Sequence, residues 1–302
     1  MISNATRFID LDYAPMKNSS FTPQLTKDGS YTFFSTEFQE AFHSAFGAKQ
    51  EAEVRYIEPC LLKQLAAKRS TIRILDICYG LGYNSAAALE AIWSVNPNCK
   101  VELQALEISA DVPRQAVANN LLDLWQPSVH RRLAQLSIKS LIHDEKLKAR
   151  LLLRDARKSI KEIAKRNWKA DAVFLDPFSP PKCPQLWTIE FIDLVTQCLA
   201  EKGRLATYSA SAAVRTSLIM ANLSIISVTG AGRKSPGTIA LKKYKSILVL
   251  SQKELEHLKT RAAIPYRDPN LGDLSKTIIL RRREEQKLSN LESTSQWRKR
   301  WF

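Results

Sequence analysis

Residues 72–84 read I-R-I-L-D-I-C-Y-G-L-G-Y-N. The apolar run from Ile72 to Ile77 has the length and β-branched content of a buried strand. Gly80 and Gly82 end it, and residues 85–94 read as a helix. Glycines in such a turn let a ligand approach the main chain and permit φ values that a side chain forbids. In open α/β sheets, ligands bind beyond the carboxyl ends of the strands, which is where this loop lies.

The same pattern recurs along the chain. Strand candidates lie at 101–106, 150–153, 172–175, 204–208, 223–228 and 246–250, with helical stretches at 156–166, 189–199 and 212–221. Strands alternating with amphipathic helices predict a mostly parallel, doubly wound α/β sheet. No helix is evident in 230–245, between the last two strands, so a terminal antiparallel hairpin is expected. A seven-stranded sheet ending this way is that of a Rossmann-like class I methyltransferase rather than a dehydrogenase. Residues 35–46 and 53–68 read as helices, and 1–34 carry turn formers such as Pro15, Pro23 and Gly29. The expected division is a small N-terminal extension (1–52), a methyltransferase domain (53–250) and a basic C-terminal extension (251–302).

The loop chemistry narrows the ligand. A dinucleotide fingerprint needs a third glycine where this chain has Ser85, and the G-K-[ST] of a P-loop is absent. An acid just before the glycines, Asp76, would repel a pyrophosphate but can hold the ammonium end of a methionine moiety. Three more acids follow the next strands. Glu107 is suited to accept ribose hydroxyls, Asp155 to accept from an adenine amine, and Asp176 ends the fourth strand of the series. Together they point to S-adenosylmethionine as cofactor.

Residues 176–184 read D-P-F-S-P-P-K-C-P. A proline-stiffened loop at the end of a central strand fixes groups near a transferred methyl. An alkyl amine acceptor, with a free pKa of about 10, needs help to present its lone pair at neutral pH. Asp176, or a backbone carbonyl at Pro177 or Phe178, is the candidate for that role, and Phe178 for stacking on a base.

Composition limits the remaining classes. The 302 residues carry a net charge of +15, which favours a polyanionic partner. The five cysteines include no C-x-x-C pair, and the four histidines are scattered, so neither a disulfide framework nor a metal site is expected. No run approaches the roughly 18 apolar residues of a membrane span, and the N-terminus shows no signal-peptide core, so a cytoplasmic location is expected. The C-terminal extension mixes Lys259, Arg261, Arg267, Arg281, Arg282, Arg283, Arg298, Lys299 and Arg300 with Tyr266, Trp297, Trp301 and Phe302. It reads either as an RNA-contacting arm or as a helix packed by its aromatics. Asp273 is a candidate helix cap, and Arg233 and Lys234 are alternative phosphate contacts.

Four segments carry a family resemblance: 28–35, 76–84, 171–187 with D-P-F-S-P-P-K-C-P-Q-L-W-T, and 205–215 with L-A-T-Y-S-A-S-A-A-V-R. Over roughly residues 28 to 250 the chain resembles the tRNA 5-aminomethyl(-2-thio)uridine methyltransferases, the methyltransferase half of MnmC and its stand-alone MnmD relatives. The resemblance implies N-methylation of an exocyclic amine on a tRNA wobble uridine, without the FAD-dependent oxidase step. It implies Asp176 as the functional aspartate, with Pro177 and Phe178 beside it. Gly80, Gly82, Glu107 and Asp155 match its cofactor positions. Asp76, Asn84 and Asp176 complete the set, and Tyr31, Ser35 and Gln50 are expected to approach from the N-terminal segment. Cys78 and Cys183 depart from the family's glycine and asparagine. The alternatives are an aminopropyltransferase-like enzyme, disfavoured for a polycationic substrate by the +15 charge, and a non-catalytic RNA-binding protein, disfavoured by the intact acids. The oligomeric state stays open.

Overall fold

The computed structural model of the chain describes residues 21–229, 236–242 and 248–302. Among these residues nine strands form one sheet: β1 (Thr71–Ile77), β2 (Lys100–Glu107), β3 (Leu141–His143), β4 (Leu147–Leu153), β5 (Ala170–Leu175), β6 (Leu199–Thr207), β7 (Leu223–Val228), β8 (Gly237–Lys242) and β9 (Leu248–Val249). Their order is β9-β7-β8-β6-β5-β1-β2-β4-β3. The five strands from β4 to β6 run parallel, while β8 is antiparallel to both β6 and β7. From β1 the chain steps outward to β2 and β4, then returns to the other side of β1 for β5. The strand order therefore reverses between β1 and β5, the point where doubly wound sheets bind ligands.

Side-chain alternation along β1 divides the core. Ile72 and Ile74 face one buried cluster, with α1 (Tyr83–Val95) and α3 (Pro127–Lys139), while Leu75 and Ile77 face the other. That second cluster is covered by α4 (Ala156–Lys165), α5 (Ile189–Gln197) and α6 (Ala212–Met220). The short helix α2 (Asp111–Ala118) follows β2 on the first face.

The expected terminal hairpin is present, but its second strand is β8, inside the stretch read as loop, and not 246–250. Residues Leu248–Val249 add a short edge strand parallel to β7. The edge strand β3 and helix α3 were missed as well. Residues 35–46 are not a helix: Phe34–Ser35 pairs antiparallel with Glu40–Ala41, turning at Gln39, which has φ 52°. The expected 53–68 helix begins earlier, at Ala48, passes through a π-helical turn and breaks at Leu61, with φ 55°. Arg233 and Lys234 lie outside the described residues.

The C-terminal extension folds as α7 (Gln252–His257), α8 (Ser275–Leu288) and α9 (Thr294–Trp301) and packs on the sheet domain. Ile278 and Tyr266 enter the second core cluster, and Trp297 is buried with its ring stacked on His257 at 4.1 Å. Several arginines are used internally. Arg267 pairs with Glu190, Arg281 with Asp273, and Arg300 with Glu256 and Glu292. Arg282 donates to the carbonyls of Ile264 and Ala262. Asp273 caps no helix: α8 begins after Leu274 without a side-chain cap, because the Asp273 carboxylate is turned to Arg281. Among the described residues, no helix is long and apolar enough to cross a membrane.

Candidate active site

A cleft of about 360 Å³ opens at the carboxyl ends of β1, β2, β4 and β5. This volume lies in the range of small-molecule sites. Six carboxylates line it: Glu37, Glu40, Glu51, Glu107, Asp155 and Asp176. Among the described residues no lysine or arginine lines it, although the chain as a whole carries +15. The described lining is thus acidic, in contrast to the chain as a whole.

The loop after β1 forms the floor. Cys78 and Tyr79 donate their backbone N–H groups to the Leu106 carbonyl, both at 2.9 Å, which ties the loop to β2. Cys78 adopts φ 68°, the left-handed conformation that the more usual glycine at this place would take without strain. Gly80 lines the cleft at φ 53°, and a Cβ there would come within 3.3 Å of the Phe42 ring. Gly82 serves packing instead. A Cβ on it would sit 2.5 Å from the Tyr79 hydroxyl, and the residue does not line the cleft.

Asp76 does not line the cleft either. Strand alternation points it to the α1 side, where it is fully buried and accepts from the Ser85 hydroxyl at 2.6 Å. Its Oδ1 has no hydrogen-bond partner, and burial pushes its carboxyl up to about 7. The expected contact of Asp76 with a methionine ammonium thus has no direct path; the acid anchors the start of α1 beneath the loop.

Glu107 ends β2 with its carboxylate in the cleft wall. It accepts from the backbone N–H of Gly80 at 2.8 Å, Ile108 at 2.8 Å and Ser109 at 3.0 Å, so it locks two loops together. Burial raises its pKa, against these three bonds. Asp155 follows β4, lines the cleft and caps α4 by accepting from the Arg157 N–H at 2.8 Å. The Arg157 side chain then forks onto the same carboxylate.

Asp176 follows β5 and meets partners that only the fold supplies. The Tyr56 hydroxyl donates to its Oδ1, and Asn84 Nδ2 donates to its Oδ2 at 2.8 Å. Burial, with the nearby Glu51 charge, pushes the Asp176 carboxyl up to about 8, and the two hydrogen bonds pull against that. A carboxyl held there can both accept a hydrogen bond and take up a proton near neutral pH. Asn84 thus acts through Asp176 as well as lining the cleft. The Pro177 carbonyl accepts from the Tyr208 hydroxyl at 3.0 Å and the Phe178 carbonyl from Trp187 Nε1 at 2.9 Å. Both carbonyls thus help to hold the loop on which Asp176 sits. Phe178 stacks on Phe38 at 4.5 Å and meets Phe42 edge-on at 5.0 Å, so one of its faces is already covered.

The N-terminal ribbon closes over this loop. Glu40 accepts from the Ser179 N–H at 2.9 Å and from its hydroxyl. Ser35 lines the cleft, yet its hydroxyl is occupied by the Phe38 N–H at 3.2 Å. Tyr31 and Gln50 are not among the lining residues; Tyr31 is half-exposed in a separate short strand paired with Gln24–Leu25, and the Gln50 backbone donates to Asp28. Cys183 lines the wall with its thiol pushed up to about 12 by burial, which keeps it an inert thiol. Sequence reasoning missed Tyr56, Glu51 and Glu40, which sit in segments without a motif, and Tyr208, which lies in the 205–215 motif but was not singled out. Among the described residues, no group of three or more His, Cys, Asp or Glu is arranged to hold a metal ion.

Known proteins resemble this chain in sequence and fold. Residues 116–243 match the family model described as S-adenosyl-L-methionine-dependent methyltransferase. The crystal structure of MNMC2 from Aquifex aeolicus superposes with a TM-score of 0.79 at 33% identity, covering 91% of this chain and 88% of that one. An uncharacterized protein of Methanocaldococcus jannaschii is 29% identical over 87% of this chain and 71% of its own length. The tRNA 5-methylaminomethyl-2-thiouridine biosynthesis bifunctional protein MnmC of an Acidovorax species is 28% identical over 66% of this chain. The chain spans only 32% of that bifunctional relative. With the reversed strand order at β1 and β5, the acid-lined cleft there and a match along nearly its whole length to MNMC2, the chain belongs to the MnmC methyltransferase family of S-adenosylmethionine-dependent enzymes.

Proposed function

We propose that this methyltransferase N-methylates the 5-aminomethyl group of a wobble uridine in tRNA. The observation that carries the reading is Asp176, held between Tyr56 and Asn84 in a cleft whose described lining has six carboxylates and no lysine or arginine. Such a cleft suits a sulfonium cofactor beside an amine acceptor, and the named function of the bifunctional relatives supplies the RNA.

On this reading Glu107 accepts the ribose hydroxyls and Asp155 the adenine amine, each from the end of its strand. When bound, S-adenosylmethionine supplies an electrophilic methyl: the C–N bond forms as the C–S bond breaks, and that electron pair leaves with sulfur. Asp176 accepts an N–H of the incoming amine and takes the proton that frees its lone pair. Tyr56 and Asn84 hold both oxygens of that carboxylate, so its direction is set before the substrate arrives. The aromatic cluster of Phe38, Phe42 and Phe178 walls the acceptor side against water. The net charge of +15 draws the phosphate backbone to the outer surface.

The test is nucleoside mass spectrometry on tRNA carrying 5-aminomethyluridine, treated with the protein and methyl-labelled cofactor. Label on the wobble nucleoside is expected. Label on another nucleoside, or none on RNA, rejects the acceptor.

A further inference from the structure

We propose that the C-terminal extension is part of the cofactor site, acting through Arg157 and Asp268 as positioning residues that fix Asp155 for recognition of a 6-aminopurine. The proposal rests on the cofactor and on Asp155 reading its adenine, and not on the RNA substrate.

The relay is continuous. Asp268 is fully buried, and its Oδ1 accepts from the backbone N–H groups of Gly272 and Asp273, both at 3.1 Å. Its Oδ2 accepts from an Arg157 guanidinium nitrogen at 2.8 Å, and that nitrogen also donates to the Asp273 carbonyl at 2.9 Å. The remaining guanidinium donors fork onto Asp155, the nearest at 2.7 Å. Arg157 is thus fixed from the extension on one side and grips a cleft carboxylate on the other. A second tie supports the same wall: the Ser275 hydroxyl donates to Oε1 of Gln185, another lining residue, at 2.9 Å.

The chemistry that follows concerns selectivity. An ionised carboxylate has about four lone-pair sites and only accepts. Three N–H groups of Arg157 already sit on Asp155, its backbone N–H, Nε shared between both oxygens, and a terminal guanidinium nitrogen, so about one of those sites is left, and the Asp155 side chain keeps 28% of its surface open beside the cleft. What it offers a purine is an acceptor of set direction, matched to the amine of adenine and opposed to the carbonyl of hypoxanthine. Loss of the fork frees Asp155 to rotate and removes the opposition. A buried ion pair whose partner is cut also leaves an uncompensated charge, so the relay is expected to act as a unit.

The test is calorimetric binding of S-adenosylmethionine and of its hypoxanthine analogue to the full-length protein and two variants. Arg157→Met removes the fork and keeps much of the bulk. Asp268→Asn keeps an acceptor for the Gly272 and Asp273 amides but breaks the charged tie to Arg157. In both, S-adenosylmethionine binding is expected to weaken about tenfold, the scale of one hydrogen bond to a charged group. The preference for adenine over hypoxanthine is expected to shrink by a similar factor, more in Arg157→Met than in Asp268→Asn. An unchanged preference overturns the proposal, even if affinity or thermal stability falls, because a merely structural prop would weaken both ligands equally. Asp155→Asn separates the relay from its premise: a preference unchanged there shows that Asp155 does not read the purine, and the proposal falls with it.

Discussion

Tyr56 donates its hydroxyl to Oδ1 of Asp176, joining a π-helical turn near the N-terminus to the end of β5 across 120 residues of sequence. Asp176 lines the cleft, while Tyr56 is buried behind it, with its own pKa driven up by burial and the Asp176 charge. The tyrosine is therefore a hydrogen-bond donor throughout the working pH range, and its effect on Asp176 has one sign. It stabilises the ionised carboxylate.

The pH dependence follows from that sign. A carboxyl raised to about 8 is protonated below that value, and its accepting form fills as pH rises through it. Single-turnover methylation should climb with pH along a limb near 8. In Tyr56→Phe the loss of a bond to the charged form should move the limb up by about one to two units, the equivalent of 1.5–3 kcal/mol. Cofactor affinity should hold. A limb that stays in place would mean that Tyr56 only fills space.

Asp176→Asn keeps the shape and an acceptor for Tyr56 but cannot take a proton. Methylation at saturating cofactor and RNA should slow by about 10²-fold or more, and the limb near 8 should vanish. Calorimetry should show little change in S-adenosylmethionine binding. A large loss of cofactor affinity instead would assign Asp176 to the cofactor rather than the acceptor.

Glu107→Ala removes three backbone contacts as well as the proposed acceptor for the ribose. Cofactor binding should weaken by at least tenfold, since one such bond to a charged group is worth roughly 1.5–3 kcal/mol. Equal affinity in the folded variant would contradict the ribose assignment.

Two glycines separate strain from crowding. Gly29 and Gly82 have φ values of 82° and 85°, but a Cβ on Gly29 meets nothing within 4 Å, whereas one on Gly82 runs into the Tyr79 ring. Gly29→Ala should lower unfolding stability by about 1 kcal/mol, the strain alone. Gly82→Ala should lower it by clearly more in denaturant titrations, and similar losses would show that Tyr79 yields easily.

The extension has its own stability signature. Ile278 is fully buried in the second core cluster, so Ile278→Ala should destabilise the whole domain by about 2–5 kcal/mol in a single cooperative transition. A separate early transition would mark the extension as an independent unit.

Much of this protein was written locally. The apolar run 72–77 and its glycine turn declare a parallel strand and a ligand loop, because strand formation and positive φ are properties of a few adjacent residues. The main strands from β1 to β7 and helices α1, α4, α5 and α6 followed from the same rule, without α2, α3 and the edge strand β3, and the acids at 107, 155 and 176 were visible as residues following strands. What adjacency does not encode is which side chains meet across the fold. Asp76 looked like its fellow acids, yet alternation turned it beneath α1 and away from the cleft. Gly80 and Gly82 looked alike until their neighbours, Phe42 and Tyr79, were in place. Residues 35–46 read as a helix, and Glu40 became an anchor for Ser179 only once they folded back as a ribbon over the β5 loop. The short strand β8 lay in a stretch without a strong apolar signal, and its pairing with β6 and β7 decided it. The basic extension could not be told from a solvated arm, because the charge of an arginine is local but its partner is not. Tertiary structure alone gave Arg157 its place between Asp268 and Asp155, and gave Asp176 its tyrosine.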